Sequence, residues 1–96
     1  MKSVNQKALL RESSETLRAI AHPLRLQIIE LLQLNKQLTV TEIHQQLDVE
    51  QAVASHHLRI LKNKRVVDLE RSGKNSMYFL ANPAFYEIVR IINNNV

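Results

Sequence analysis

Apolar residues recur at helical spacing through the first two thirds of the chain. A first helix is predicted near residues 3–20, because Ser3 and Gln6 have the spacing of a capping box and apolar residues follow at intervals of seven and three. The dipeptide His22-Pro23 should end it, since a residue before proline avoids the helical conformation while proline suits a first helical turn. A second, strongly apolar helix should then form the centre of the core, with Leu24, Leu26, Ile28, Ile29, Leu31 and Leu32.

Two shorter helices are predicted within residues 39–62, after a polar connection at residues 33–38. Thr39 and Glu42 have capping-box spacing, so a helix should begin near Thr39. Residues 48–50 interrupt the periodic pattern, and the helix that follows is apolar on one stripe and polar or basic elsewhere. This arrangement predicts a helix-turn-helix whose second helix enters the DNA major groove. The inward-facing residues should be Val40, Ile43, Leu47, Ala54, Leu58 and Leu61.

After residue 62 the spacing becomes alternating, which is typical of β-strands. Two alternating runs flank the segment at residues 72–75, which contains the only glycine of the chain. Residues 66–80 are therefore predicted to form a β-hairpin, the wing of a winged helix, with Arg71 and Lys74 near its tip. The alternating apolar residues are Val67, Leu69, Met77 and Phe79. The fold class expected is mainly α with one small β-hairpin.

The first and last helices are expected to form a homodimer interface. Asn82-Pro83 should begin the last helix, near residues 83–94, and its apolar face is broader than the rest of the chain can cover. The 96 residues suit one small domain, and a monomer of that size would be marginally stable. Pairing of two copies is therefore expected, through Leu10, Leu17, Phe85, Ile88, Val89 and Ile92.

Composition excludes several classes of function. The chain has no cysteine, so disulfides, thiolate metal ligands and thiol-based sensing are excluded. No apolar run approaches the roughly 20 residues of a membrane span, and the polar start lacks a signal-peptide core, so we expect a cytoplasmic protein without a membrane partner. No glycine-rich phosphate loop or nucleophile motif is present, and we expect neither enzyme activity nor a cofactor.

The net charge of +4 is concentrated in one third of the chain. Residues 51–80 contain six basic and two acidic residues, a net charge of +4, whereas the remaining residues contain seven of each. A concentrated basic region is typical of nucleic-acid binding. The simpler alternative is a solvated basic face that has no partner.

Four histidines raise the question of a metal site, and their spacing argues against one. His56 and His57 are adjacent, so they point about 100° apart on a helix and cannot chelate one ion together. His22 and His44 lie on separate elements without a carboxylate pair at ligand spacing. We expect no metal ligand, with His57 packed partly into the core and His56 facing outward.

The polar face of the second motif helix and the hairpin tip supply the candidate DNA contacts. Gln51 can form two hydrogen bonds to adenine, and we favour this base contact over the alternative of an ordinary residue in an exposed first turn. Ser55 suits a base or phosphate contact, with tolerance of a close backbone as the alternative, and cations at a hairpin tip suit phosphate or the minor groove. The expected DNA-contacting residues are Gln51, Ala52, Ser55, His56, Arg59, Lys62, Arg71, Lys74 and Asn75.

Three segments resemble motifs of the arsenic-repressor (ArsR/SmtB-type) family. Residues 22–32, HPLRLQIIELL, are similar to its second helix, residues 51–62, QAVASHHLRILK, to its recognition helix, and residues 70–80, ERSGKNSMYFL, to its wing. The resemblance implies a homodimeric winged-helix repressor that binds an imperfect palindrome in promoter DNA and is released by an inducer. It further implies base or groove contacts from Gln51, Ser55 and His56, and phosphate contacts from Arg59 and Lys62.

The sequence departs from the family where members of that family bind an inducer. The positions of a Cys-x-Cys metal pair hold Thr39 and Thr41, and those of an Asp-x-His pair hold Asn82 and Ala84, with Asn95 at the position of a further histidine. We therefore expect a regulator without metal or thiol sensing, whose inducer or regulatory protein partner is unknown. Activation in place of repression also stays open.

Two further departures concern the recognition helix. Glu50 replaces the usual serine cap, and Arg65 replaces a glycine that commonly closes the helix, so Arg65 is expected in a left-handed conformation. The competing functions are a winged-helix module that binds or antagonises another protein and an architectural protein that tolerates any DNA sequence.

Overall fold

The computed structural model describes residues 5–96, which form five helices and one antiparallel hairpin. The elements in chain order are α1 (Gln6–Ile20), α2 (Pro23–Asn35), α3 (Val40–Leu47), α4 (Gln51–Asn63), β1 (Val67–Ser72), β2 (Asn75–Leu80) and α5 (Ala84–Asn93). This is the winged helix-turn-helix arrangement that the sequence predicts, with α3 and α4 as the motif, β1 and β2 as the wing, and α4 as the recognition helix. Within the described residues, no helix is long and apolar enough to cross a membrane.

The core lies between α2, α3 and α4 and is closed by the base of the hairpin and by α5. Its fully buried side chains come from each of these elements, so no helix is stable by itself. Each buried aliphatic side chain contributes roughly 1.5–3 kcal/mol relative to exposure. The largest are Ile28, Ile29, Leu32, Ile43, Leu58, Leu61, Val66, Val67 and Val89.

Side-chain caps fix where the second and third helices begin. Thr39 and Glu42 form the predicted capping box: Thr39 Oγ1 accepts the Glu42 N–H at 3.1 Å, and Glu42 Oε1 accepts the Thr39 N–H at 2.8 Å. His22 caps α2, because its Nδ1 accepts the Leu24 N–H at 3.0 Å, a role that the sequence analysis missed. The capping box predicted at Ser3 lies outside the described residues, and α1 begins at Gln6.

Left-handed residues end α3 and α4. Arg65 has a φ of 59°, as the missing glycine predicts, and Asp48 has a φ of 58° at the end of α3. At the end of α4, the Arg65 N–H donates to the Lys62 carbonyl at 3.0 Å and the Val66 N–H to the Leu61 carbonyl at 2.9 Å. These two bonds form a Schellman motif, which turns the chain from the recognition helix into the wing.

The connection between α2 and α3 is shorter and more structured than predicted. The prediction of a polar loop over residues 33–38 is wrong, because α2 continues to Asn35 and a tight turn at Lys36, with a φ of 66°, follows it. Leu38 is buried and exchanges two backbone hydrogen bonds with Tyr78 of β2, at 3.1 and 2.8 Å. The segment before the motif is thereby fixed to the wing, a contact that periodicity could not indicate.

The wing is a regular hairpin with a two-residue turn. Ser72 pairs with Asn75 across the turn, and Gly73 has a φ of 63°, a conformation that glycine adopts without steric cost. On β2 the residues packed against the core are Tyr78 and Leu80, while the alternating pair Met77 and Phe79 lies on the opposite face.

Candidate nucleic-acid interface

The recognition helix α4 separates an apolar face from a polar face. Ala54, Leu58 and Leu61 are buried in the core, and the polar face carries amide, hydroxyl, imidazole and cationic groups. Among the predicted DNA contacts on α4, five are exposed, namely Gln51, Ala52, His56, Arg59 and Lys62, and Ser55 is half-buried. The helix therefore presents hydrogen-bonding groups along one exposed side while its other side anchors it.

The start of α4 leaves part of its backbone available to a ligand. Glu50 occupies the cap position and makes no side-chain cap hydrogen bond, whereas its carbonyl accepts the N–H groups of Val53 and Ala54 at 3.0 and 3.2 Å. Uncapped N–H groups at a helix start and the helix dipole attract anions such as phosphate. The Glu50 carboxylate opposes that attraction because it adds negative charge at the same end.

The end of α4 carries a cationic cluster that is larger than predicted. Arg59 and Lys62 line an open cavity of about 450 Å³ together with Ile60, Asn63 and Arg65. Arg65 is absent from the predicted contacts, because its position after the helix indicates only a left-handed backbone conformation. Its left-handed backbone directs the chain so that a third cation joins the two on the helix.

The wing tip carries the remaining predicted contacts. Arg71, Lys74 and Asn75 are all exposed. Arg71 and Asn75 lie at the ends of β1 and β2, and Lys74 is the second residue of the turn. The two-residue turn holds both cations on a short rigid hairpin, which suits contact with backbone phosphates.

A cluster of basic side chains connects α4 to the first two helices. His57 is 6% exposed, and its ring lies 4.4 Å from that of His22 and 5.1 Å from that of His56. The Nε–H of Arg25 donates to His57 Nδ1 at 3.2 Å. Burial, then the charges of His22, Arg25 and His56, hold the pKa of His57 below its usual value of 6.5. His57 is therefore neutral near pH 7 and His56 is exposed, in agreement with their predicted placement.

Within residues 5–96, no group of three or more His, Asp or Glu side chains is arranged to hold a metal ion.

An exposed apolar face on α1 and α5 is the candidate dimer surface. Leu10, Leu17 and Ile92 are each at least half exposed, and Phe85 and Ile88 are half-buried. Val89 is 1% exposed and packs inside its own protomer, so the predicted assignment of Val89 to the interface is wrong. Leu9 and Ile91, which the predicted set omits, are also more than half exposed on these helices.

The fold and the exposed polar face of α4 are those of a winged helix-turn-helix regulator of transcription. Residues 22–68 match the model of the family described as bacterial regulatory protein, arsR family. The chain is 36% identical over 84 residues to the transcriptional repressor PagR of Bacillus anthracis, covering 88% of this chain and 84% of the relative. The chain belongs to the ArsR family of bacterial regulatory proteins.

Further relatives agree with this membership. The repressor SmtB of Mycobacterium tuberculosis is 43% identical over 82 residues, which span 84% of this chain and 59% of SmtB. The crystal structure of PagR has a TM-score of 0.81 at 33% identity and covers 91% of this chain and 99% of PagR. A homodimeric winged helix-turn-helix DNA-binding domain from Mycobacterium bovis has a TM-score of 0.84 at 26% identity, with 96% of this chain and 84% of that domain covered.

Proposed function

We propose that this protein is a dimeric transcriptional repressor that binds a palindromic operator in double-stranded promoter DNA in the cytoplasm. The observation that carries the proposal is the two-faced recognition helix, with Ala54, Leu58 and Leu61 buried and Gln51, His56 and Arg59 exposed. The names of PagR and SmtB, both called repressors, support repression over activation.

In the proposed complex α4 lies in the major groove. Gln51, Ser55 and His56 contact base edges, with Ser55 the least exposed of the three. Arg59 and Lys62 contact phosphates. Arg71, Lys74 and Asn75 of the wing contact the neighbouring backbone or the minor groove. Glutamine can form two hydrogen bonds with adenine, so Gln51 is the residue from which we expect the most base discrimination.

Dimerisation sets the form of the operator. The exposed leucines and isoleucines of α1 and α5 pair with those of a second copy, as supported by the homodimeric domain from Mycobacterium bovis. Two recognition helices related by a two-fold axis would contact half-sites about 10–10.5 base pairs apart. The operator is therefore an inverted repeat of that spacing.

Release from DNA is proposed not to involve a metal or a thiol. The chain has no cysteine, and its described histidines and carboxylates form no ligand set. Zinc or peroxide added to the protein–DNA complex should leave the affinity unchanged.

The test is a salt series of DNA binding by fluorescence anisotropy. Duplexes from the protein's own upstream region are compared with random duplexes of equal length. Binding to the operator duplex should be about a thousandfold tighter or more. Equal, salt-dependent binding to all duplexes would replace the proposal with an architectural function, and no binding at low salt would favour a protein-interaction module.

A further inference from the structure

Three helices meet at the basic cluster around His57. Arg25, in the first turns of α2, donates its Nη1–H to the carbonyl of Ala19 at the end of α1, at 2.8 Å. The same guanidinium donates its Nε–H to His57 Nδ1 in the middle of α4, at 3.2 Å. One side chain therefore joins the end of α1 to the recognition helix.

The protonation states of this cluster follow from its hydrogen bonds. Arginine is always a donor, so His57 Nδ1 must be an unprotonated acceptor. His22 Nδ1 also accepts, from the Leu24 N–H, and its ring packs against that of His57 at an interplanar angle of 39°. A proton on His57 Nδ1 would turn this nitrogen into a donor that faces the Arg25 Nε–H donor. It would also place a second positive charge next to the guanidinium, since Nδ1 lies 3.2 Å from Arg25 Nε.

The charged surroundings of His57 are all basic. The groups that face it are His22 and Arg25 from α2 and His56 from α4 itself. Neither ion pair found among residues 5–96 involves Arg25; these pairs are Glu15–Lys64 and Glu87–Arg90. Since Arg25 takes part in neither of these ion pairs, its positive charge would repel a protonated His57.

We propose that Arg25 and His57 are positioning residues that hold the recognition helix for DNA binding, and that protonation of His57 opens their contact and weakens binding. This inference rests on the proposed DNA-binding function. His57 directly follows His56, which is exposed on the polar face, so a displacement of His57 displaces that face relative to α1. Since α1 belongs to the proposed dimer surface, the contact couples the orientation of α4 to the dimer.

The direction of the pH effect depends on whether the folded or the unfolded chain binds a proton at His57 more tightly. The pKa of His57 in the folded protein lies below 6.5, its value in the unfolded chain, because burial and the neighbouring charges disfavour the charged form. The contact is therefore intact above about pH 6.5, and its contribution to stability is lost as the pH falls below that value.

The first experiment uses the full chain without DNA. Backbone hydrogen exchange in α4 is compared at about pH 7.5 and about pH 5.5, corrected for intrinsic rates, in the wild type and in His57→Asn. Asparagine keeps an acceptor near the Nδ1 position and does not titrate. The protection of α4 should fall by roughly threefold to tenfold in the wild type and stay constant in His57→Asn.

Two controls keep this experiment decisive. Glu15→Gln removes the ion pair at 2.8 Å between α1 and Lys64, the residue directly after α4. It removes no group that titrates in this range, because Lys64 lowers the pKa of Glu15. Its α4 protection should depend on pH as in the wild type. If His57→Asn does not fold, the ¹⁵N chemical shift of the His57 side chain is followed in the wild type as the pH falls. Its midpoint should coincide with the midpoint for the loss of α4 protection from hydrogen exchange. Two separate midpoints would overturn the proposal.

The second experiment adds a short random duplex at constant ionic strength. The variant His56→Asn carries no exposed imidazole next to His57, and its affinity should fall by roughly threefold to tenfold on acidification. The double variant His56→Asn/His57→Asn should show no such fall, and an equal fall in both proteins would overturn the inference. Absence of binding at both pH values would instead contradict the proposed function. The hydrogen-exchange experiment would then still test whether protonation opens the Arg25–His57 contact.

Discussion

Arg65 ends the recognition helix in a conformation that most side chains avoid. Its φ of 59° costs a residue with a Cβ roughly 1–2 kcal/mol, and glycine adopts it without that cost. The Schellman hydrogen bonds and the burial of Val66 next to it maintain the conformation. Local strain at this residue is thus offset by packing at its neighbour.

Replacing Arg65 with glycine should stabilise the protein. Relief of the left-handed conformation exceeds the entropy that glycine adds to the unfolded chain, so we expect a gain of about 0.5–1 kcal/mol in the free energy of unfolding. Urea denaturation at one fixed protein concentration measures it. Arg65→Ala keeps the Cβ and should show no gain, and equal stability of the two variants would contradict the left-handed assignment.

Glu50 is a second residue where a single change should stabilise the protein, and at this position the change should also raise DNA affinity. Serine at this cap position can accept a backbone N–H of the first turn, which Glu50 does not do, so Glu50→Ser should add about 0.5–1 kcal/mol to the free energy of unfolding. It also removes negative charge from the end of α4, so DNA affinity should rise several-fold for all sequences.

Glu50→Gln separates these two effects. Glutamine removes the charge without supplying a short capping group, so it should raise DNA affinity as serine does and leave the free energy of unfolding without the gain. An affinity increase confined to Glu50→Ser would mean that the cap, and not the charge, controls binding.

At the scale of the elements, local sequence patterns predicted the helices and strands. The same patterns did not predict contacts between residues that are far apart in the sequence. The Thr39–Glu42 capping box spans three residues and was predictable from spacing alone. The Arg25–His57 hydrogen bond joins residues 32 positions apart, and no periodicity encodes it. Val89 was misassigned for a related reason: an apolar helix face does not reveal which of its residues the protomer itself covers.

The recognition helix and the wing should contribute differently to binding. Gln51→Ala should reduce discrimination at one base position by about 1–3 kcal/mol, because a bidentate contact is lost. Lys74→Ala should weaken binding to all sequences and lower the slope of log K against log salt by about one. Binding to a set of single-base operator variants across a salt series measures both effects.

Lys7→Ala is the control for the wing variant, since Lys7 is also an exposed lysine but lies on α1, away from the wing. It should leave the affinity and the salt slope close to those of the wild type. A sequence preference unchanged by Gln51→Ala would remove Gln51 from base recognition.

At the scale of the whole molecule, the exposed apolar residues of α1 and α5 are the proposed surface for pairing two copies. Leu17 is 50% exposed and Ile92 51% exposed, although a chain of 96 residues has little apolar surface to spare. Covering them in a dimer adds burial that one protomer cannot provide. In the proposed dimer this pairing would also place two basic regions on one molecule, so that one dimer could bind both half-sites of the proposed operator.

Leu17→Glu should therefore produce a monomer that binds DNA weakly. A buried charge at the interface is unpaired in the dimer, and the second half-site no longer adds to affinity. Light scattering should give a mass near 11.1 kDa in place of twice that value. Leu34→Glu is the control, because Leu34 is 81% exposed on α2, outside the proposed interface, and should leave the dimer intact.

The pairing of Leu38 with Tyr78 determines where this chain can change in length. An extra residue before Leu38 would turn a different side chain toward the core, because neighbouring residues in an extended segment face opposite sides. The turn at Gly73 and Lys74 is exposed, and a Cβ added to Gly73 would meet no atom within 4 Å. Insertions should therefore be tolerated at the wing tip and not in the connection before α3, so the reach of the wing can change without a change in the core.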